Sequence, residues 1–270
     1  MSDITVINDS EQSSLVTNGL AKNGELYLKA AGSTDAGAIV AYDSGVWRTF
    51  ANEYAPSFTQ TYSLEFDGGD DEVTVPHHTS LNFSGEHTLS CWVKAPNLSG
   101  YGMLITKEGG GTNYRLGLFN DQVYYYNGGT SVFHTSTLST NTWHHIAASH
   151  SNSNDQTVIY IDGVSYSATN TTDSSTTSTA DLCIGHLNSG YRKALKIDEV
   201  AVFGSVLSAS DITAIYNSGV PNDLTSYSPV GWWRMGDNDG GTGTTITDQG
   251  SGGNDASLVN GPTFSTDIPS

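Results

Sequence analysis

Residues 62–75, YSLEFDGGDDEVTV, open a series of short runs rich in Val, Ile, Thr, Tyr, Phe and Trp, separated by Gly, Asn and Asp. The series continues through 87–95 (HTLSCWVKA), 101–119 (YGMLITKEGGGTNYRLGLF), 122–129 (QVYYYNGG), 141–150 (NTWHHIAASH), 156–166 (QTVIYIDGVSY), 180–186 (ADLCIGH) and 196–219 (KIDEVAVFGSVLSASDITAIYNSG). Short β-rich runs punctuated by turn formers are the pattern of an antiparallel sandwich or barrel. Helix is confined to one place, where Ser208 can cap the amino end and Asp211 stands three residues on. Ile212, Ile215 and Tyr216 follow on one face, and Gly219 and Pro221 stop the turn.

The ordered series resembles the laminin-G-like and pentraxin branch of the concanavalin A-like lectin and glucanase superfamily. Carrying residues are Phe66-Asp67-Gly68, Leu89 to Lys94 with Trp92, Trp143-His144-His145-Ile146, Tyr160-Ile161-Asp162-Gly163, Ile184-Gly185, Ile197-Asp198-Glu199-Val200 and Leu207-Ser208. The resemblance implies a two-sheet antiparallel jelly roll with one concave face; with the helix above and the strand pattern of the first sixty residues, the expected fold is all-β with one short helix and a small N-terminal β module. Residues 230–264, VGWWRMGDNDGGTGTTITDQGSGGNDASLVNGPTF, look like the segment that precedes the Phe-Asp-Gly strand in bacterial members, here moved to the far end. Ends of a compact domain often lie close together, so an edge strand can move from front to back and keep its ladder. The expected division is therefore 1–60 as an arm and docking module, and 61–270 as a sandwich closed by 230–264. The alternatives are that the tail completes a neighbouring subunit or begins a second copy.

A formal net charge of -18 repels phosphate backbones and anionic headgroups at long range, which disfavours nucleic acid. No run approaches a membrane span, so no membrane insertion is expected, and the opening residues MSDITVINDS lack the basic start and apolar stretch of a signal peptide. Two cysteines cannot form a disulfide framework for a chain of 270 residues. Alternation puts Cys91 with Leu89 and Val93 on a core face and sets Cys183 against Leu182 and Ile184, so two reduced thiols are expected. Pentraxins bridge the Cys91 strand to the Trp143 strand, and the resemblance puts Ala147 where the partner would be.

Glu25 to Lys29, Gly37 to Tyr42 and Val46 to Phe50 form a strand pattern with a turn at Asp43-Ser44-Gly45. So small a unit buries too little apolar surface to stand alone, and it must dock on something. The string at 24–53 resembles N-terminal pieces of structural proteins from tailed phages of marine bacteria. That likeness implies a virion location, synthesis in a host cytoplasm, other virion proteins as partners of the N-terminal module, and a homo-oligomer.

Glycoside hydrolases of the superfamily carry Glu-x-Asp-x-x-Glu on one strand. The nearest string here, Glu65-Phe66-Asp67-Gly68-Gly69-Asp70, has two glycines after Asp67 and a shorter last acid, which breaks the alternation that presents the carboxylates together. No enzymatic activity is expected. The eight histidines have no zinc spacing. The resemblance implies one structural calcium on Asp198, joined by Asp248 and Asn254 if the tail is permuted; the alternative is that Asp198 only satisfies buried backbone donors. Sugar binding needs aromatic platforms beside amides or hydroxyls. Tyr124 and Tyr126 share one strand face, and the family's loops bring Asn113, Asn188 and Tyr191 near them, which makes these five the candidate carbohydrate site. A sheet covered by tyrosines with no ligand is the competing reading. The functional expectation is a phage head decoration, fibre or tail appendage displaying a lectin-like domain, with a free lectin module or a divergent glycoside hydrolase as alternatives.

Overall fold

The computed structural model describes residues 58–83, 85–109, 112–134, 138–169, 177–187 and 191–270, together with four strands nearer the start. The chain divides into two compact units, 1–59 and 60–270. In the first, β1 (Thr5–Ile7), β2 (Leu26–Lys29), β3 (Ile39–Asp43) and β4 (Val46–Thr49) form one sheet in that order. β1 runs parallel to β2, and β3 pairs back on β4 with Asp43 opposite Val46. Other readings on residues 1–57 lie outside the described residues.

The second unit begins with β5 (Ser63–Asp67), β6 (Glu72–Val75), β7 (His87–Lys94), β8 (Tyr101–Glu108), β9 (Thr112–Phe119), β10 (Gln122–Tyr126) and β11 (Val132–His134). It continues with β12 (His144–Ser151), β13 (Gln156–Ile161), β14 (Val164–Thr169), β15 (Leu182–Ile184), β16 (Ala194–Phe203) and helix α1 (Ala209–Tyr216). The tail supplies β17 (Gly231–Trp233), β18 (Thr245–Ile246), β19 (Ala256–Val259) and β20 (Thr263–Ser265). Two antiparallel sheets make the sandwich. One has the order β11-β10-β9-β8-β15-β6-β19-β18, the other β14-β13-β12-β7-β16-β5-β20, with β17 also on β16.

Strand alternation builds the core. Leu89, Cys91 and Val93 of β7 face Leu116, Leu118, Val123 and Tyr125 of the other sheet, and Leu64, Phe66, Ile197, Val200 and Val202 extend the same buried cluster. Each such side chain contributes on the order of 1.5–3 kcal/mol by leaving water. The tail belongs to both layers. β19 pairs with β6, β20 with β5, and Trp233 of β17 lies opposite Val200. Cys91 is buried and Cys183 half-buried, and both are free thiols. The residue opposite Cys91 is Ile146; Ala147 lies opposite Ser90 on the other face, which corrects the position assigned to the pentraxin partner.

Helix α1 starts at a full capping box, with the Ser208 side chain accepting from Asp211 N–H and Asp211 bonding back to the Ser208 N–H. It covers the outer face of the second sheet, where the Tyr216 ring stacks on Trp92 at 5.9 Å and on His145 at 6.2 Å. His145 is fully buried there, 2.8 Å from the Ser90 hydroxyl, and burial pushes its pKa down to about 4.

Candidate carbohydrate site

On β9 and β10 the residues that do not face the core point to the outer face of the first sheet. Tyr126 lies directly opposite Arg115, and Tyr124 opposite Gly117. A Cβ on Gly117 would sit 2.8 Å from the Tyr124 ring and 2.8 Å from the Gly102 carbonyl. The missing side chain therefore lets the Tyr124 ring lie flat on the sheet. There it donates its hydroxyl to the Met103 sulfur at 3.2 Å and stacks on Phe133 at 5.8 Å. Burial pushes the Tyr124 hydroxyl up to about 12, with Arg115 opposing the shift.

Tyr101, at the start of β8, stands edge-on to Tyr124 at 5.7 Å and to Tyr191 at 5.2 Å. Tyr191 has a left-handed backbone (φ 61°), and its carbonyl accepts the Met103 N–H at 3.1 Å. The next residue, Arg192, is paired with Glu72 of β6, which ties this segment to the same sheet. The tyrosines, Phe133 and Arg115 enclose a cleft of about 170 Å³. Tyr191 is 51% exposed and Tyr101 39%, so the cleft offers open ring surface and not only packing.

Arg115 lies over the Tyr126 ring at 5.0 Å and is gripped by Glu108, with Nε and Nη2 each donating to one carboxylate oxygen. Burial alone would lower its pKa; the Glu108 carboxylate overrides that and holds it raised.

Of the five residues expected to bind sugar, Tyr124, Tyr126 and Tyr191 converge on this cleft. Asn188 lies outside the described residues. Asn113 is corrected: it is fully buried, its amide oxygen accepts the Phe83 N–H at 3.0 Å, and its nitrogen donates to the Phe83 carbonyl at 2.7 Å. It clamps the 79–83 segment to β9 and offers nothing to a ligand. Sequence reading missed Arg115, Tyr101 and Phe133. Cross-strand alternation from Tyr126 and Tyr124 was the signal that could have found Arg115.

The three residues assigned to calcium each have protein partners of their own. The Asp248 carboxylate takes three main-chain N–H groups: Trp232 at 2.8 Å, Gly250 at 2.7 Å and Asn254 at 2.7 Å. The Asn254 amide turns to the Ser80 hydroxyl, and its carbonyl accepts from the buried Trp233 indole. A Cβ on Gly250 would meet the Val230 carbonyl at 2.7 Å, so the turn closes tightly around Asp248.

Asp198 has other charged neighbours. A β-bulge between Asp198 and Ala201 turns Asp198 and Glu199 toward Arg234 and Asp237. Glu199 accepts from Arg234 at 3.0 Å, from the Trp232 indole and from Gln60 at 2.7 Å. Burial pushes Asp198 well above the ordinary carboxylate range and Glu199 up to about 7. Calcium takes six to eight converging oxygens. Among the described residues no three His, Cys, Asp or Glu side chains converge to hold a metal ion, and one Asp198 carboxylate oxygen is buried without a hydrogen-bond partner.

Glu65 and Asp67 lie on β5 of the second sheet, away from the cleft. Glu65 pairs with Lys196 at 3.5 Å, and Asp67 closes its own turn onto the Gly69 N–H.

Residues 67–213 match the model of the concanavalin A-like lectin/glucanase superfamily. The chain belongs to that superfamily. Among solved structures it resembles a candidate carbohydrate-binding protein from Bacteroides ovatus at 19% identity and TM-score 0.62, over 92% of this chain and 71% of that one. It also matches a heptameric SAP-like pentraxin from Limulus polyphemus at 10% identity and TM-score 0.43, over 56% of this chain and 83% of that one. The binding domain of botulinum neurotoxin serotype D matches at 16% identity and TM-score 0.47, over 65% of this chain and 49% of that one. No curated protein matches the chain in sequence. The superfamily holds lectins and glucanases alike, so the choice between binding and catalysis rests on the side chains of this chain.

Proposed function

We propose that this chain is a non-catalytic carbohydrate-binding protein that seats a sugar in the cleft formed by Tyr101, Tyr124, Tyr126, Phe133 and Tyr191. The observation that carries the reading is the convergence of the exposed Tyr101 and Tyr191 and the half-buried Tyr126 and Phe133 over the buried Tyr124 ring, around one cleft on the outer face of the first sheet. Ring faces take the apolar C–H side of a sugar, and the tyrosine hydroxyls and Arg115 address its oxygens. The Bacteroides ovatus protein of like fold supports it. The separation of Glu65 and Asp67 from the cleft supports binding without hydrolysis. Glycan-array screening of the full chain, repeated with Tyr126→Ala and Tyr124→Ala, tests it. At least tenfold loss of signal, about 1.4 kcal/mol, is expected with thermal stability of Tyr126→Ala close to that of the parent. Binding indifferent to both substitutions, or release of reducing sugar from the bound glycan, would overturn it.

The setting we propose is a virion, with the first sixty residues fastening copies of the chain to other particle proteins. This rests on the likeness of residues 24–53 to phage structural proteins. Immunogold labelling of purified particles tests it, and unlabelled particles would count against it.

A further inference from the structure

We infer that the cleft selects a single neutral sugar ring and discriminates against uronic and sulfated sugars; this rests on the carbohydrate reading above. Three observations lead there. First, the volume of about 170 Å³ falls below the roughly 300–1,000 Å³ of pockets that enclose drug-sized ligands, and suits one ring. Second, among the described residues Arg115 is the one charged side chain lining the cleft, and its guanidinium already donates two bonds to the two oxygens of Glu108. A fork-on-fork pair of this kind leaves little of the cation's field for a second anion. A carboxylate or sulfate entering beside Tyr126 would have to displace Glu108 or lie close to its negative charge. Third, the chain as a whole carries a formal charge of -18, so an anionic ligand is also repelled on approach. A neutral ring meets none of these costs, since it lays C–H groups on the tyrosine faces and offers hydroxyls to the outward edge of the Arg115 and Glu108 pair.

Glu108 therefore acts as a specificity-determining residue, because it cancels the cation that would otherwise recruit acidic sugars. The test is titration calorimetry of the full chain with matched oligosaccharides of equal length and linkage: glucose against glucuronate, galactose against galacturonate, mannose against mannuronate. The neutral member of the best-bound pair is expected to bind at least tenfold tighter, with little dependence on salt and little gain beyond a monosaccharide. Glu108→Gln, which frees Arg115, is expected to shift the neutral-to-acidic affinity ratio at least tenfold toward the uronate. Uronates that bind the parent chain as tightly as their neutral partners, and lose binding in Tyr126→Ala, would overturn the inference and leave the carbohydrate reading standing. Binding of neither class, or binding unaffected by Tyr126→Ala, would bring down both. Should Glu108→Gln melt far below the parent chain, the matched pairs and their salt dependence on the parent still decide the matter.

Discussion

The aromatic cleft and the tail clamp each contain side chains of the kinds that bind ligands, and they engage those side chains in opposite ways. Around Asp248, three main-chain N–H groups converge on one carboxylate, and the Trp233 indole is answered by the Asn254 carbonyl. Around Tyr126, ring faces and hydroxyl edges stay open to solvent beside a cation paired with one carboxylate. Residue type alone does not separate the two regions. A polar group closed on the protein's own main chain holds the fold, whereas a ring left partly exposed beside other rings is free to hold something else.

The largest effect expected from breaking that contrast is at Asp248. Asp248→Ala strips the partner from three N–H groups, two of them in strand or turn segments of the tail, and is expected to cost about 4 kcal/mol. Thermal unfolding should drop by roughly 8–16 °C for a domain of this size. A melting temperature unchanged in Asp248→Ala would mean that the tail is held by its strand ladders alone.

His145 sharpens the contrast from the side of pH. Its pKa is near 6.5 in the unfolded chain and about 4 in the fold, so between those values the unfolded state binds a proton that the folded state refuses. The stability that comes from keeping His145 neutral is full above pH 6.5 and is lost as pH falls toward 4, by ~3 kcal/mol. Melting curves of the parent chain and His145→Gln across that window should show a shallower acid slope for the variant. Parallel curves would remove His145 from the account.

A smaller effect separates two neighbours on β9. Asn113→Ala should cost about 2 kcal/mol by unpairing the Phe83 main chain, with glycan affinity unchanged after correction for folded fraction. Loss of glycan affinity in a fully folded Asn113→Ala protein would restore that residue to the site.

Much of the fold is readable because its signals are local. Ser208 and Asp211 announce the helix start through their own side chains, and alternation along β7 and β10 assigns core and outer faces without knowledge of partners. The site is less readable because its residues are sorted by distant main chain. Asn113 and Arg115 have the same strand parity, yet the 79–83 segment closes over one and leaves the other in the cleft. Asp198 and Glu199 should alternate, and a bulge puts them beside the same Arg234 instead. Tyr101 and Phe133 join the cleft from strands whose order in the sheet cannot be taken from their own letters.

The pairing of β20 with β5 has a mechanical consequence. Ser265, where the chain leaves β20, lies opposite Ser63, where it enters β5. Tension between the flanking segments therefore loads a single rung and peels the ribbon open rung by rung, since ladder bonds run across the strands. Asp267, gripped by Lys94 at 2.8 Å and by the Trp143 indole at 3.1 Å, is the latch that must slip before that peeling begins.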